Sequence, residues 1–370
     1  MKSTASLNFI SPTATLCNPV ASDKFTNYTL QSVKNIFTKA AITKKDYNHK
    51  TSFKTCAKTI VQEKIIRYTQ EKQSNRSKCL LEIKYPGYVV QTFGNPVKLV
   101  GSGTDGYVNL HIDTFGNKYA IKSFFCPQNK SVASFPDYEM LSPEIRISAY
   151  FNHPNIIKVH RMIFETNGYI YIVMEYCDRD LFTLISDLHT NNSVKLATIN
   201  HLFYQLIQAI FYLHNQAFVV HRDIKLDNIC ISSDNNLKLI DFGCSISYDP
   251  LNPFGSYGIC GSDPYIAPEV FLLSKGIYDP RCTDVWAIAI VYIAMISGRF
   301  PWEAAKVSDK NFTLFLKQKE KMLEYWIPHC PETRELISAI LNVDPSKRPN
   351  IKQVKSFKFY TDLHALFSNN

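Results

Sequence analysis

The segment His221-Arg222-Asp223-Ile224-Lys225-Leu226-Asp227-Asn228, with Asp241-Phe242-Gly243 beginning thirteen residues beyond Asn228, constrains this chain more than any other feature. Transfer of a phosphoryl group asks for three kinds of side chain. A carboxylate must orient the attacking hydroxyl, and Asp223 is the candidate. A cation must stand near the moving group, and Lys225 supplies one. Hard magnesium ions take oxygen ligands, which the Asn228 amide and the Asp241 carboxylate offer. His-Arg-Asp alone is a chance triplet on many surfaces. Two motifs at this spacing, with matching neighbours on both sides, are not.

Upstream lies Gly101-Ser102-Gly103-Thr104-Asp105-Gly106-Tyr107-Val108. Glycines let a backbone approach phosphates without a Cβ in the way. By itself such a glycine run is more often an ordinary turn. Here the β-prone Val97-Lys98-Leu99-Val100 precedes it, and Tyr119-Ala120-Ile121-Lys122 follows on an expected strand. Lys122 is the candidate to pair the α/β-phosphates of ATP, against the bland reading of a solvated charge. The expected nucleotide-binding set is Gly101, Ser102, Gly103, Gly106, Val108, Ala120 and Lys122, with ATP and Mg2+ as cofactors. Tyr169-Ile170-Tyr171-Ile172-Val173-Met174 reads as a strand and Thr198–Asn215 as an amphipathic helix. The apolar run from Asp284 through Ile296 is too short to cross a bilayer and reads as a core helix.

Taken in order, these stations resemble the eukaryotic protein kinase domain over residues 88 to 366, about three quarters of the chain. The resemblance implies an α+β, two-lobed protein kinase fold: a small antiparallel β-sheet lobe with the family's C helix, and a large, mainly helical lobe. It implies that Lys122 pairs with a glutamate on that helix. Pro143–Phe151 carries apolar residues at helical spacing and stops at His153-Pro154-Asn155. The family's glutamate lies nine residues before that histidine, which selects Glu144, with Glu139 as the rival. Met174 is the expected gatekeeper, with adenine bonding backbone groups of Glu175 and Cys177 and Asp180 reaching the ribose. The stretch Cys177-Asp178-Arg179-Asp180 lacks the glycine pair usual there.

Gly261-Ser262-Asp263-Pro264-Tyr265-Ile266-Ala267-Pro268-Glu269 looks like the family's substrate-docking loop and its anchor, with Arg348 as the ion-pair partner of Glu269. Asp284 is expected to accept hydrogen bonds from the backbone around His221. Lys225 so soon after Asp223 implies serine or threonine acceptors rather than tyrosine. In many family members a phosphorylated threonine stands three residues before this glycine, and the arginine at 222 binds its phosphate. Here that position is Gly258, and Ser256 or Tyr257 would serve only after a shift of one or two residues. Thr104-Asp105 stand at the glycine-loop tip where an aromatic is common.

Phe300-Pro301-Trp302, Val307-Ser308-Asp309-Lys310-Asn311-Phe312 and Gly261–Tyr265 carry a narrower resemblance, to fungal halotolerance and nutrient-permease-regulating kinases. It implies a Ser/Thr-rich N-terminal extension and control of plasma-membrane ion or nutrient transport. Ten cysteines without a CxxC pair fit reduced thiols, and a cytoplasmic enzyme, peripheral to the plasma membrane, is the expectation. Residues 1–84 hold fifteen Lys/Arg and five Asp/Glu, a charge of +10 against +9 for the whole chain. That composition reads as disorder over 1–87, or more sharply as an anionic-membrane or acidic-partner contact. No nucleic acid is expected, because no aromatic-interleaved basic cluster accompanies the charge. The organisation is then an extension over 1–87, a kinase domain over 88–366 and a tail over 367–370, as a monomer acting on protein substrates. Asp227, with Asp180 on the same rim, favours substrates with Arg or Lys two to three residues before the acceptor. The rival class is a pseudokinase scaffold. It predicts loss of Lys122, Asp223 or Asp241, and all three are present.

Overall fold

A computed structural model describes residues 81–103, 106–125, 151–273, 276–328 and 330–368. These divide into two units, 81–178 with Cys230–Ser245 and Arg179–Ile229 with 246–368.

The first unit is a six-stranded sheet. Its strands are β1 (Leu81–Lys84), β2 (Pro96–Gly103), β3 (Gly106–Ile112), β4 (Lys118–Phe125), β5 (Val159–Glu165) and β6 (Tyr169–Glu175), in the order β1-β5-β6-β4-β3-β2. Aromatic and β-branched residues dominate β6, as strands buried on both faces require. Phe124, Met162, Ile170 and Ile172 form one apolar cluster. Ile121, Ile163 and Val173 form another with Val89 and Phe93 of α1 (Tyr88–Phe93). The expected strand at 169–174 is therefore present, one residue longer.

Two features depart from expectation. The sheet begins at Leu81, ahead of the expected start at 88, and β1 runs parallel to β5 (Leu81↔Met162 through Lys84↔Glu165), so the sheet is not wholly antiparallel. Two side chains of β5 hold this added piece. Arg161 grips Glu82 through two bonds of 2.8 and 2.6 Å and reaches the Tyr88 hydroxyl. Buried Glu165 accepts the Gly87 and Val89 amides at 2.9 Å each, filling the open N-terminus of α1. Four residues are too few to announce a strand, and pairing across some eighty positions leaves no local signal. The extension over 1–80 and the whole segment 126–150 lie outside the described residues, and with them Glu144, Glu139 and the expected helix that bears them.

The second unit is helical. It comprises α2 (Leu181–Thr190), α3 (Leu196–Tyr212), α4 (Pro268–Leu272), α5 (Arg281–Ser297), α6 (Lys310–Lys317), α7 (Lys319–Trp326) and α8 (Pro331–Ile340), followed by helices Ile351–Val354 and Lys358–Phe367. The seventeen-residue α5 is buried without interruption from Asp284 to Met295, the core helix the apolar run implied. It packs on α3. Trp286, Trp302, Phe312, Phe315 and Trp326 interlock beside it with ring centroids 5.0–6.5 Å apart. Asp309 caps α6, accepting from the Asn311 and Phe312 amides. No helix among the described residues is long and apolar enough to cross a membrane.

The β1–α1 piece generates a prediction. A chain starting at Leu81 should melt like the full chain. One starting at Asn95 strands buried Glu165 without its amide partners and Arg161 without Glu82, at a cost of about 3–5 kcal/mol for an uncompensated buried charge. Thermal unfolding should show a Tm roughly 10 °C lower for the second truncation.

Candidate active site

The loop from His221 to Asn228 is shaped from both sides. After α3 a π-helical turn, Leu213–Ala217, and a left-handed Phe218 (φ 55) bring the chain into Val219–Val220, which pairs antiparallel with Ile246–Ser247. The next two amides have no strand partner. Those of His221 and Arg222 each donate at 2.8 Å to the buried carboxylate of Asp284, which also faces His214 Nε2 at 2.8 Å. Asp284 lies in the first turn of α5, where the helix dipole favours an anion. Pinned in this way, Arg222 sits at φ 70, a conformation costing a non-glycine residue about 1–2 kcal/mol.

Asp223 follows, and three side chains converge on it. Asn228 Nδ2 donates to its carbonyl and to its Oδ2, at 2.9 Å each. Lys225 Nζ stands 2.9 Å from the same Oδ2. The Ser262 hydroxyl donates to Oδ1 at 3.3 Å and accepts from Lys225 Nζ at 3.0 Å. The structure thus brings together Asp223, Lys225 and Asn228, as their types and spacing implied. Ser262 is a member that sequence reasoning missed. Its only signal was a hydroxyl inside a segment quoted for its resemblance.

Ser262 is held in place by close packing of its loop. Gly261 has φ 107, and a Cβ there would stand 2.8 Å from the Arg222 carbonyl oxygen, so only glycine fits. Tyr265 is buried, its hydroxyl accepts the Leu226 amide at 3.3 Å, and burial raises its phenol above the ordinary value, keeping it neutral. Behind the loop, Glu269 and Arg348 form a fully buried bidentate pair at 2.6 and 2.9 Å. The guanidinium also donates to the Cys282 and Asn342 carbonyls and lies 4.8 Å from the Trp286 ring centroid. The expected partner of Glu269 is the one found.

The remaining candidates, apart from Asp180, lie in the sheet unit. On β4, buried Lys122 stands opposite Val108 and Ile172, its ammonium 5.2 Å from the Phe124 ring centroid, and Ala120 stands opposite Leu110 and Met174. Gly101 opposes Val108 in the β2–β3 register, followed by the Ser102↔Tyr107 and Gly103↔Gly106 pairs. A Cβ on Gly106 would meet the Ser123 carbonyl oxygen at 2.3 Å, so the sheet itself demands that glycine. A Cβ on Gly101 would meet nothing nearer than Val108 at 3.9 Å. The fold itself does not demand that one. Met174 packs against the Phe124–Met162 cluster, and Cys177 is buried. The Glu175 carboxylate accepts the Lys158 amide at 2.7 Å and pairs with Lys238 at 3.0 Å. Asp241 is exposed at φ 61, its Oδ1 accepting the Gly243 amide at 3.1 Å, while Phe242 buries its ring on Phe151.

Asp180, expected at the ribose, caps α2, taking the Thr183 amide on Oδ1 at 2.6 Å and the Thr183 hydroxyl on Oδ2 at 3.1 Å. Cys177, Cys230, Cys282 and Cys330 are free.

Both amide protons of Asn228 go to Asp223, and in the sheet unit Asp241 Oδ2 takes no hydrogen bond among the described residues. Amide and carboxylate oxygens are each donors of the kind a hard cation such as magnesium takes.

A sheet unit bearing a buried lysine and a helical unit with a seated Asp-Lys-Asn group define a phosphotransferase of the protein kinase class. The chain belongs to the protein kinase family, whose domain model matches residues 95–360. The relatives it resembles are fungal serine/threonine kinases. It is 35% identical to the probable serine/threonine-protein kinase RTK1 of Saccharomyces cerevisiae, over 74% of this chain and 45% of that one. It is 37% identical to the nitrogen permease reactivator protein of the same yeast, over 60% of this chain and 27% of that one. It is 32% identical to that yeast's serine/threonine-protein kinase HAL4/SAT4, over 71% and 45%. The chain thus matches less than half the length of each of these relatives. Its domain is a serine/threonine protein kinase domain, of a family that uses ATP and acts on proteins.

The Glu269–Arg348 pair should be unforgiving. Arg348→Ala leaves a buried carboxylate and the carbonyl oxygens of Cys282 and Asn342 without their donor, so equilibrium unfolding should show a loss of about 3–5 kcal/mol. A loss under about 1 kcal/mol would show the anchor to be dispensable.

Proposed function

We propose that this protein transfers the γ-phosphoryl group of ATP to serine or threonine hydroxyls of protein substrates. The observation that carries the reading is the seat of Asp223, fixed by Asn228, Lys225 and Ser262 with one oxygen held only by a hydroxyl. A substrate hydroxyl can take that place. Asp223 aims it and receives its proton as the oxygen bonds to phosphorus, and Lys225 offsets charge on the phosphoryl oxygens. Lys122, with Glu144 as its partner, holds the α/β-phosphates, the backbone of Gly101, Ser102, Gly103 and Gly106 lies over them, and Val108, Ala120, Met174, Glu175 and Cys177 hold adenine. Asn228 and Asp241 would hold magnesium, which would offset the phosphate charge when it arrives with ATP. Nothing about the site favours a scaffold without transfer.

The assignment is tested by two substitutions. Asp223→Asn should lower kcat by about 10²–10⁴-fold, the usual worth of a positioned base, while ATP binding by calorimetry survives. Asp241→Ala should abolish magnesium-dependent transfer. Turnover near wild type in either variant rejects the roles.

A relative named nitrogen permease reactivator supports a role in regulating transport at the plasma membrane. The +10 charge of residues 1–84 supports a cytoplasmic protein that touches an anionic membrane surface. The kinase domain, taken as 88–366 in sequence and begun at Leu81 by the sheet, acts as a monomer. Peptide choice should turn on Asp227, which is exposed beside Leu226, whereas Asp180 is occupied by its capping bonds. On a peptide array, Arg two to three residues before the acceptor should be preferred, and Asp227→Ala should lower kcat/KM for such peptides several-fold while sparing neutral ones. An acidic or proline-directed preference would overturn this.

A further inference from the structure

In the family this chain resembles, the arginine before the catalytic aspartate commonly waits for a phosphate on the segment that leads into the docking loop. Here the segment offers Gly258 at that place, and the guanidinium already has partners. Arg222 Nη2 donates to the carbonyl oxygens of Tyr257, at 2.7 Å, and Gly258, at 3.1 Å. Gly258 has φ 66, a left-handed turn at the point where these two carbonyls meet one cation. Tyr278, from the loop between α4 and α5, closes the arrangement. Its hydroxyl donates to the same Gly258 carbonyl at 2.9 Å, and its backbone exchanges two bonds of 3.1 Å with Gly255.

The aromatic contacts add to this. The Tyr257 and Tyr278 rings meet edge to face at 5.8 Å, and the Arg222 guanidinium lies 6.0 Å from the Tyr257 ring centroid. The Tyr257 hydroxyl is spent on the Pro253 carbonyl at 2.9 Å, and the Tyr278 side chain is buried. Burial raises the Tyr278 phenol, so it stays a neutral donor across the working pH range. Further back, Asn252 and Asp249 bridge through their backbones, and the Leu251 amide donates to Asp249 Oδ1. Pro250 and Pro253 stiffen the same stretch. Between Asp249 and Cys260 the only side-chain hydroxyls belong to Ser256, which is exposed, and Tyr257.

A phosphate orders such a segment by giving an arginine charge-assisted acceptors. In this chain two carbonyl oxygens and a tyrosine hydroxyl do that work. Their effect reaches the site directly, since Gly261 and Ser262 follow within a few residues and Gly261 lies against the Arg222 carbonyl. We propose that Tyr278 is a positioning residue which, with Arg222, latches the 255–258 segment onto the catalytic loop. The docking loop is thereby set for substrate without phosphorylation. The proposal rests on the reading of Asp223 as the residue that orients the acceptor.

The test uses the full chain in reducing buffer, with an Arg-x-x-Ser peptide library as probe. Protein co-expressed with a broad phosphatase, and shown phosphate-free by intact mass, should keep kcat/KM within about twofold of untreated protein, and so should Ser256→Ala. Tyr278→Phe keeps the ring and removes one hydroxyl; it should raise peptide KM or lower kcat by about fivefold, the worth of one hydrogen bond. The KM for ATP should stay unchanged, and the Tm should fall by no more than about 2–4 °C, the shift expected for one lost hydrogen bond. Activity lost more than tenfold on dephosphorylation, a matching loss in Ser256→Ala, or a Tyr278→Phe variant equal to wild type in peptide kinetics would each overturn the latch. An untreated wild-type chain inactive on every peptide, or an Asp223→Asn chain as active as wild type, would instead bring down the kinase reading beneath it.

Discussion

The carboxylate of Asp284 is the interaction on which the rest of this site depends. Two consecutive backbone amides, those of His221 and Arg222, point away from any strand, and each would cost about 1–3 kcal/mol if buried unpaired. One side chain answers both, with a third bond at His214. It can do so because it sits at the start of the most deeply buried helix in its unit, whose position is set by packing on every side. That fixed point lets Arg222 remain in a left-handed conformation. The strained residue in turn sends its guanidinium toward the 257–258 carbonyls and hands the chain on to Asp223. Geometry at the reacting end is therefore inherited from a helix that touches no substrate.

A second buried carboxylate sets the opposite wall. Glu269 is saturated by Arg348, and Arg348 by three further carbonyl contacts and the face of Trp286. Such a pair adds little net stability relative to an apolar core, since desolvation offsets its attraction. What it supplies is position: α4 cannot slide while both members stay satisfied, and the loop from Gly261 to Tyr265 is tied to α4. Ser262 thus reaches Asp223 from a loop anchored at the far side of the core.

How much of this could be read from the chain follows the range of each interaction. The catalytic loop, the glycine run and the core helix were legible because local motif and pattern announce them, while the Glu269–Arg348 pair, 79 positions apart, came through the resemblance alone. β1 was not, since its four residues find their register against β5 some eighty positions away. Ser262 was passed over because a hydroxyl carries no meaning until folding sets it beside Asp223. Asp180 has a use that the resemblance did not announce: it caps α2 through Thr183, an ordinary Asp-x-x-Thr arrangement. The partners of Arg222 are backbone oxygens, which no side-chain pattern can reveal.

Three carboxylates of the helical unit, Asp284, Glu269 and Asp223, differ in how fully they are satisfied, and that difference sorts structure from chemistry. Asp284 and Glu269 are wholly buried and bonded through both oxygens to partners inside the protein, so neither has capacity left for a substrate. Asp223 keeps part of its side chain exposed, and the contact on its Oδ1 is a hydroxyl at 3.3 Å, the longest of the bonds that hold it. Its Oδ2, gripped by an amide and an ammonium, supplies orientation. A carboxylate fixed through one oxygen and loosely occupied on the other can exchange a protein hydroxyl for a substrate hydroxyl without moving. The chain has only one group in the helical unit that meets both conditions among these three, and it lies where the sequence motif places it.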